Sequence, residues 1–185
     1  MRRSGVLLPV TSLPSRFGIG TFSKEAYAFV DFLSEAGQKL WQILPLGPTG
    51  YGDSPYQAFS TFAGNPYLID LEELIENGWL TEEECENTDW GGSKSYVDYE
   101  KMYQGRFPLL HKAYHNSHIA ENAEFIAFCE ENDWWLSDYA LFMAIKDSQG
   151  GASFLEWDAP LKLREPEAIR RCRHELSDEI CFWQF

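Results

Sequence analysis

Cationic side chains are scarce in this sequence: 15 Lys and Arg stand against 29 Asp and Glu, leaving a net charge of −14. A surface of that sign repels phosphate backbones and anionic lipid, which argues against nucleic-acid and membrane partners, whereas a neutral ligand such as a sugar meets no such barrier. Long apolar runs are missing as well. No stretch approaches the ~20 apolar residues that cross a bilayer. The run from Gly5 to Val10 behind Met1, Arg2 and Arg3 is too short for the apolar part of a secretory signal, and Pro9 interrupts it. Cys85, Cys129, Cys172 and Cys181 are scattered without CxxC spacing. Neither a zinc site nor a disulfide framework is expected from them, and the chain reads as cytoplasmic.

Aromatic rings are plentiful by contrast, with 7 Trp, 9 Tyr and 13 Phe in 185 residues. Most rings in a chain of this size fill its core, but rings also stack on the apolar C–H faces of sugars. The continuous apolar run Gly5–Val10 has the pattern of a strand buried on both faces, with Pro9 at its end. Ser23 is placed to cap a helix whose buried stripe is Tyr27, Val30, Phe32 and Leu33, and Gly37 stands where such a helix ends in a left-handed residue. A second apolar strand follows in Lys39–Leu44. Strand, helix, strand is a βαβ unit and implies parallel pairing through a right-handed crossover.

Between Pro45 and Pro66, proline and glycine recur so densely that no regular element fits. The loop carries Tyr51, Tyr56, Phe59 and Phe62 and follows the carboxyl end of a parallel strand, where α/β enzymes gather binding groups. Beyond Asp70 the pattern turns helical. Asp70 with Glu73 and Thr81 with Glu84 have capping-box spacing. Helices are expected near 99–116, 121–131, 133–147 and 166–174, with Pro108 kinking or splitting the first. The last segment, Leu176 to Phe185, begins a helix rich in bare aromatic residues, needs something to pack against, and reads as interrupted.

The loop run from Leu44 to Gln57, with Gly50-Tyr-Gly-Asp-Ser-Pro-Tyr56 at its centre, resembles the second-strand region of the 4-α-glucanotransferases of glycoside hydrolase family 77. So do Ser60 to Tyr67, the opening Gly5 to Ser15 with Gly18-Ile-Gly20, and Gly150-Gly-Ala-Ser-Phe-Leu-Glu-Trp157. The resemblance spans essentially the whole chain, and matches only the amino-terminal portion of that family. It implies an α/β fold: an incomplete (β/α)8 barrel in which residues 1–70 give the first two parallel strands and the glucan-binding loop, and residues 71–185 a mainly helical insertion.

The activity so implied is transfer of α-1,4-glucan segments to the 4-hydroxyl of an acceptor glucan, with retention through a covalent intermediate and without metal or organic cofactor. The ligands implied are malto-oligosaccharides or other α-1,4-glucans derived from starch or glycogen. Tyr56 matches a tyrosine that stacks on the sugar beside the cleaved bond, Ser54 a neighbouring polar contact, and Tyr51 a tyrosine of a secondary glucan-binding position. Asp53 lies among them but matches no catalytic acid.

Retaining chemistry needs two carboxyl groups about 5 Å apart, and in the family these come from later barrel strands. No acid of this chain sits in such a motif, so no catalytic residue is assigned and the chain alone is expected to be inert and marginally stable. A non-catalytic α-glucan-binding module is the alternative reading, and a helical interaction protein a third. His111, His115 and His118 have the spacing of one helix face, but without a supporting carboxylate or cysteine they read as a solvated face and not a metal site. Glu82–Glu84 and the pair Glu130, Glu131 read as exposed caps and helix ends.

Overall fold

The computed structural model describes residues 2–50, 52–93 and 95–185. The described residues through Ser117 form one compact unit, and His118–Phe185 form a second.

In the first unit, β1 (Gly5–Leu7) and β2 (Leu40–Gln42) pair in parallel, with Gly5 opposite Leu40 and Leu7 opposite Gln42. The crossover is α1 (Lys24–Glu35). Ser23 takes the N-cap position as expected, although its hydroxyl donates to the Glu25 carboxylate (2.9 Å) and caps no backbone amide. Gly37 closes the helix in a left-handed conformation, its N–H reaching the Ser34 carbonyl at 3.0 Å while that of Gln38 reaches Leu33 at 2.9 Å.

Two expectations fail here. The strands are not buried on both faces: all of β1 is exposed and only Trp41 of β2 is half-covered. Among the described residues each strand has a single strand neighbour. The stripe on α1 fails as well, because Tyr27, Val30 and Phe32 are exposed and only Leu33 of the four is buried, together with Ala26. What the unit does bury is the layer beneath the loops, where Val10, Leu13 and Ala26 pack with Leu8, Phe29, Trp41, Ile43, Leu46 and Leu68.

After a 3-10 turn at Pro66–Leu68 come α2 (Leu71–Glu76), α3 (Glu82–Glu86) and α4 (Tyr99–Ser117). Thr81 and Glu84 make the full capping box, whereas Asp70 caps α2 by accepting from the Glu72 amide and makes no box with Glu73. α4 runs unbroken through Pro108. Its face carrying Met102 meets Ile19 and Tyr67, joined by Trp90, Val97, Tyr99 and Phe107.

The second unit is wholly helical: α5 (Ala123–Ser148), α6 (Ala159–Lys162), α7 (Pro166–Glu175) and α8 (Ser177–Gln184). The two helices expected within 121–147 are one, because Asn132 and Asp133 do not break it. Glu130 and Glu131 therefore lie inside a helix and not at its end. Gly150 and Gly151, both left-handed, stop α5, and the chain returns so that Trp157, Cys172, Leu141 and Ile145 form a core with Phe142, Leu161, Ile169, Leu176 and Ile180. The aromatic end packs as well. Phe182 is buried in α8, and the Trp183 indole N–H donates to the Asp147 carboxylate at 2.8 Å.

Candidate functional site

The segments that leave the carboxyl ends of the two strands meet the loop. Pro9, Val10 and Thr11 after β1, and Leu44, Pro45 and Leu46 after β2, share a cavity of about 100 Å³ with Thr49, Asp53, Pro55, Asn65, Tyr67, Leu68 and Tyr99. Its walls are mixed: hydroxyls and one carboxylate set among proline and aliphatic carbon.

Local geometry explains why the chain can close this space. Gly20 donates its N–H to the Thr11 carbonyl at 3.2 Å, and a Cβ there would lie 2.1 Å from the Val10 carbonyl oxygen, so only glycine lets this turn approach the Val10–Thr11 wall. The Pro45–Pro66 loop is irregular as expected, apart from one antiparallel bridge between Thr49 and Ala58 that ties its two limbs together. Asn65 fastens the base: its amide reaches the Leu46 carbonyl at 2.8 Å, and its side-chain oxygen accepts from the Tyr67 amide at 2.9 Å.

The turn itself is unusual. Gly52 (φ +89°) and Asp53 (φ +53°) are successive left-handed residues, a conformation that aspartate tolerates better than most side chains. The Asp53 amide donates to the Gly50 carbonyl at 3.1 Å, and the Thr49 hydroxyl donates to the Asp53 carboxylate at 3.4 Å. Partial burial raises the Asp53 pKa, and the Thr49 hydrogen bond works against that rise. The Tyr67 phenol is pushed far above its ordinary range, chiefly by burial and then by the charge of Asp53. Tyr99 is raised for the same two reasons, opposed by a side-chain hydrogen bond with Thr11. All three groups line the one cavity, and the Asp53 charge is among the causes that raise both phenols.

Beneath Tyr67 lies Arg106 of α4, fully buried, donating to the Ile69 carbonyl. Burial pulls its pKa down to about 10, against the opposing pull of Asp70. Among the described residues, its Nε and Nη1 have no hydrogen-bond partner.

Of the three residues singled out from the sequence, Tyr56 is 73% exposed on the loop. Ser54 is half-buried and its hydroxyl accepts from the Tyr56 amide at 3.4 Å, so the two share one turn. Neither lines the cavity; both flank Pro55, which does. Tyr51 lies outside the described residues. Tyr67, Tyr99, Thr11 and Asn65 were not singled out from sequence. Nothing in their spacing marks them, because Tyr99 opens a helix far along the chain and joins the cavity only through tertiary packing.

The arrangement can present flat rings and hydroxyls to a neutral polyol. Asp53 is the one carboxylate among the lining residues, so the cavity offers no acid pair. The histidine row does not form: α4 ends at Ser117, and His118 is a left-handed residue outside it. Among the described residues, no group of three or more His, Cys, Asp or Glu is placed to hold a metal ion. No helix there is long and apolar enough to cross a membrane.

With this geometry in place, comparison with known proteins is informative. The sequence profile of the family described as 4-alpha-glucanotransferase matches residues 8–185. The chain is 47% identical over 188 residues to a 4-alpha-glucanotransferase of Thermus thermophilus, covering 100% of this chain and 37% of that protein. It is 45% identical over 176 residues to the Clostridium butyricum protein of the same name, covering 95% of this chain and 36% of the relative. Among solved structures it is similar to the amylomaltase of Streptococcus agalactiae in complex with acarbose, with a TM-score of 0.93 and 45% identity over 100% of this chain and 38% of that one. The chain thus spans little more than a third of the length of the proteins it matches.

Proposed function

The chain belongs to the 4-alpha-glucanotransferase family, and from that premise we propose that it supplies the glucan-gripping part of an enzyme that transfers α-1,4-glucan segments to the 4-hydroxyl of an acceptor glucan. The observation that carries this reading is the loop around Ser54 and Tyr56, set beside a cavity built from the carboxyl ends of a parallel strand pair. In βα barrels that end of the strands is where substrates bind.

On this reading residues 1–70 are the first βα units of a (β/α)8 barrel and residues 71–185 its helical insertion. Tyr56 stacks on the sugar next to the bond that is cut, Ser54 hydrogen-bonds the same sugar, and Tyr51 serves a secondary glucan position. An exposed ring next to a hydroxyl suits that task, since the ring covers the apolar sugar face and the hydroxyl meets its rim. The acarbose held by the Streptococcus agalactiae amylomaltase supports α-glucan oligosaccharides as the ligand class. A cytoplasmic location belongs to the same proposal, supported by four cysteines that are all unpaired.

The cutting step is assigned elsewhere. Retention requires a nucleophile and an acid/base about 5 Å apart, and the cavity is lined by Asp53 alone among the acids. On this reading the carboxyl pair is not among these 185 residues, which are inert alone. In the test, the chain continued through the remaining barrel strands converts maltotriose into glucose and longer maltodextrins, and Tyr56→Ala lowers that turnover at least about tenfold, the scale of one lost stacking contact with misplacement of the sugar. A continued chain without transfer activity, or a Tyr56→Ala variant as active as the wild type, overturns the assignment. Saturable maltodextrin binding by a continued chain that never turns over would favour a non-catalytic glucan-binding module.

A further inference from the structure

Asp53 is the feature of the loop that the transfer reaction does not explain. It is an acid in a sugar site, half-buried, in a left-handed backbone, and it stands directly before Ser54 and Tyr56. A solvated turn residue would face water. This one lines the cavity with Thr49, Tyr67 and Tyr99 and takes a hydrogen bond from the Thr49 hydroxyl.

Resting on the reading above, we propose that Asp53 is a positioning residue: its side chain ties the Ser54–Tyr56 turn down to the Thr49 limb and to the tyrosine floor of the cavity, and so fixes where the glucan-facing ring and hydroxyl stand. Two contacts meet at it. Its amide closes the turn onto Gly50, and its carboxylate accepts from Thr49, the residue that bridges to Ala58 on the opposite limb. Ser54 continues the chain outward, its hydroxyl accepting from the Tyr56 amide and its carbonyl accepting from the Gln57 amide at 3.0 Å. Asp53 is thus the residue through which the Ser54–Gln57 turn is joined to the Thr49 limb. Asp53 lines the same cavity as Tyr67 and Tyr99, and its charge is among the causes that raise both phenols. Carboxylate charge is not what the role needs; an oxygen acceptor on a residue that accepts a left-handed backbone is. Asparagine meets both conditions and alanine neither.

The test separates position from chemistry. In the 185-residue chain, amide hydrogen exchange at position 53 and at Gln57 becomes about tenfold faster in Asp53→Ala and in Thr49→Val, the size expected for losing one hydrogen bond and the order it imposes. Exchange in Leu141–Ile145 is unchanged, and Asp53→Asn recovers most of the protection. Thr49→Val leaves the backbone of Asp53 untouched and so decides the matter should Asp53→Ala not fold. In the continued chain, Asp53→Ala raises KM for maltotriose more than it lowers kcat, and Asp53→Asn reverses the loss. Loop exchange identical to wild type in both Asp53→Ala and Thr49→Val overturns the positioning role. So does an Asp53→Asn variant as defective as Asp53→Ala. If the wild-type continued chain transfers no glucan, the functional reading fails, while the exchange data still judge Asp53.

Discussion

Two stretches of equally apolar sequence come to opposite ends in this molecule. On α5, Leu141 is 1% exposed and Ile145 3%, enclosed by Trp157, Cys172 and the helices that follow. On the strand pair, Leu7 is 57% and Leu40 52% exposed. The difference lies in how the two kinds of element find partners. A helical hairpin meets its neighbours within a few dozen residues of chain, so α5, α7 and α8 complete a core from local sequence. A parallel strand needs a neighbour on each edge and layers on both faces, and two strands with one crossover helix supply neither.

The sharpest way to break this comparison is truncation in each core. Leu141→Ala removes a side chain enclosed on all sides and should cost the second unit about 3 kcal/mol, read as a fall in its urea midpoint. Next comes the capping box at α3: Thr81→Ala loses the bond to the Glu84 amide and should cost about 1 kcal/mol, read in the first unit's transition. Phe32→Ser on α1 should change stability by no more than about 0.5 kcal/mol in the 185-residue chain, because that ring is 60% exposed, while reducing self-association seen by light scattering. A loss from Phe32→Ser as large as that from Leu141→Ala would show that the α1 face is already covered.

The smallest effect concerns pH. The folded-state pKa of Asp53 is raised, so the fold holds that proton more tightly than the unfolded chain does. Its contribution therefore favours the folded state at low pH and declines as pH climbs from the ordinary aspartate value through the raised one. The difference in urea midpoint between wild type and Asp53→Asn should show that decline, with the variant gaining relative to wild type as pH rises. A pH-independent difference would remove the case for partial burial.

Much of this was legible in the sequence, for physical reasons that can be named. The Gly37 stop and the Thr81–Glu84 cap depend on residues near in sequence, so spacing reveals them, and the parallel pairing of the strands follows from the strand–helix–strand order. The irregular loop announced itself by its prolines and glycines. What spacing could not show was whether a hydrophobic stripe would be covered. Tyr27 and Val30 stand three apart, as one helix face allows, yet they and Phe32 are all exposed. Nor could it show that Asn132 and Asp133 would be carried inside one long helix by the packing of that helix's later turns. In the site, Ser54 and Tyr56 were found through a motif, whereas Tyr67, Tyr99 and the buried Arg106 converge only in three dimensions.

The most direct trial of the account is to incubate purified 185-residue chain with maltotriose and follow glucose release. The account predicts none above buffer, because the proposed chemistry needs a carboxyl pair and Asp53 is the one acid among the residues lining the cavity. Sustained glucose release together with longer maltodextrins, from the 185 residues alone, would contradict it.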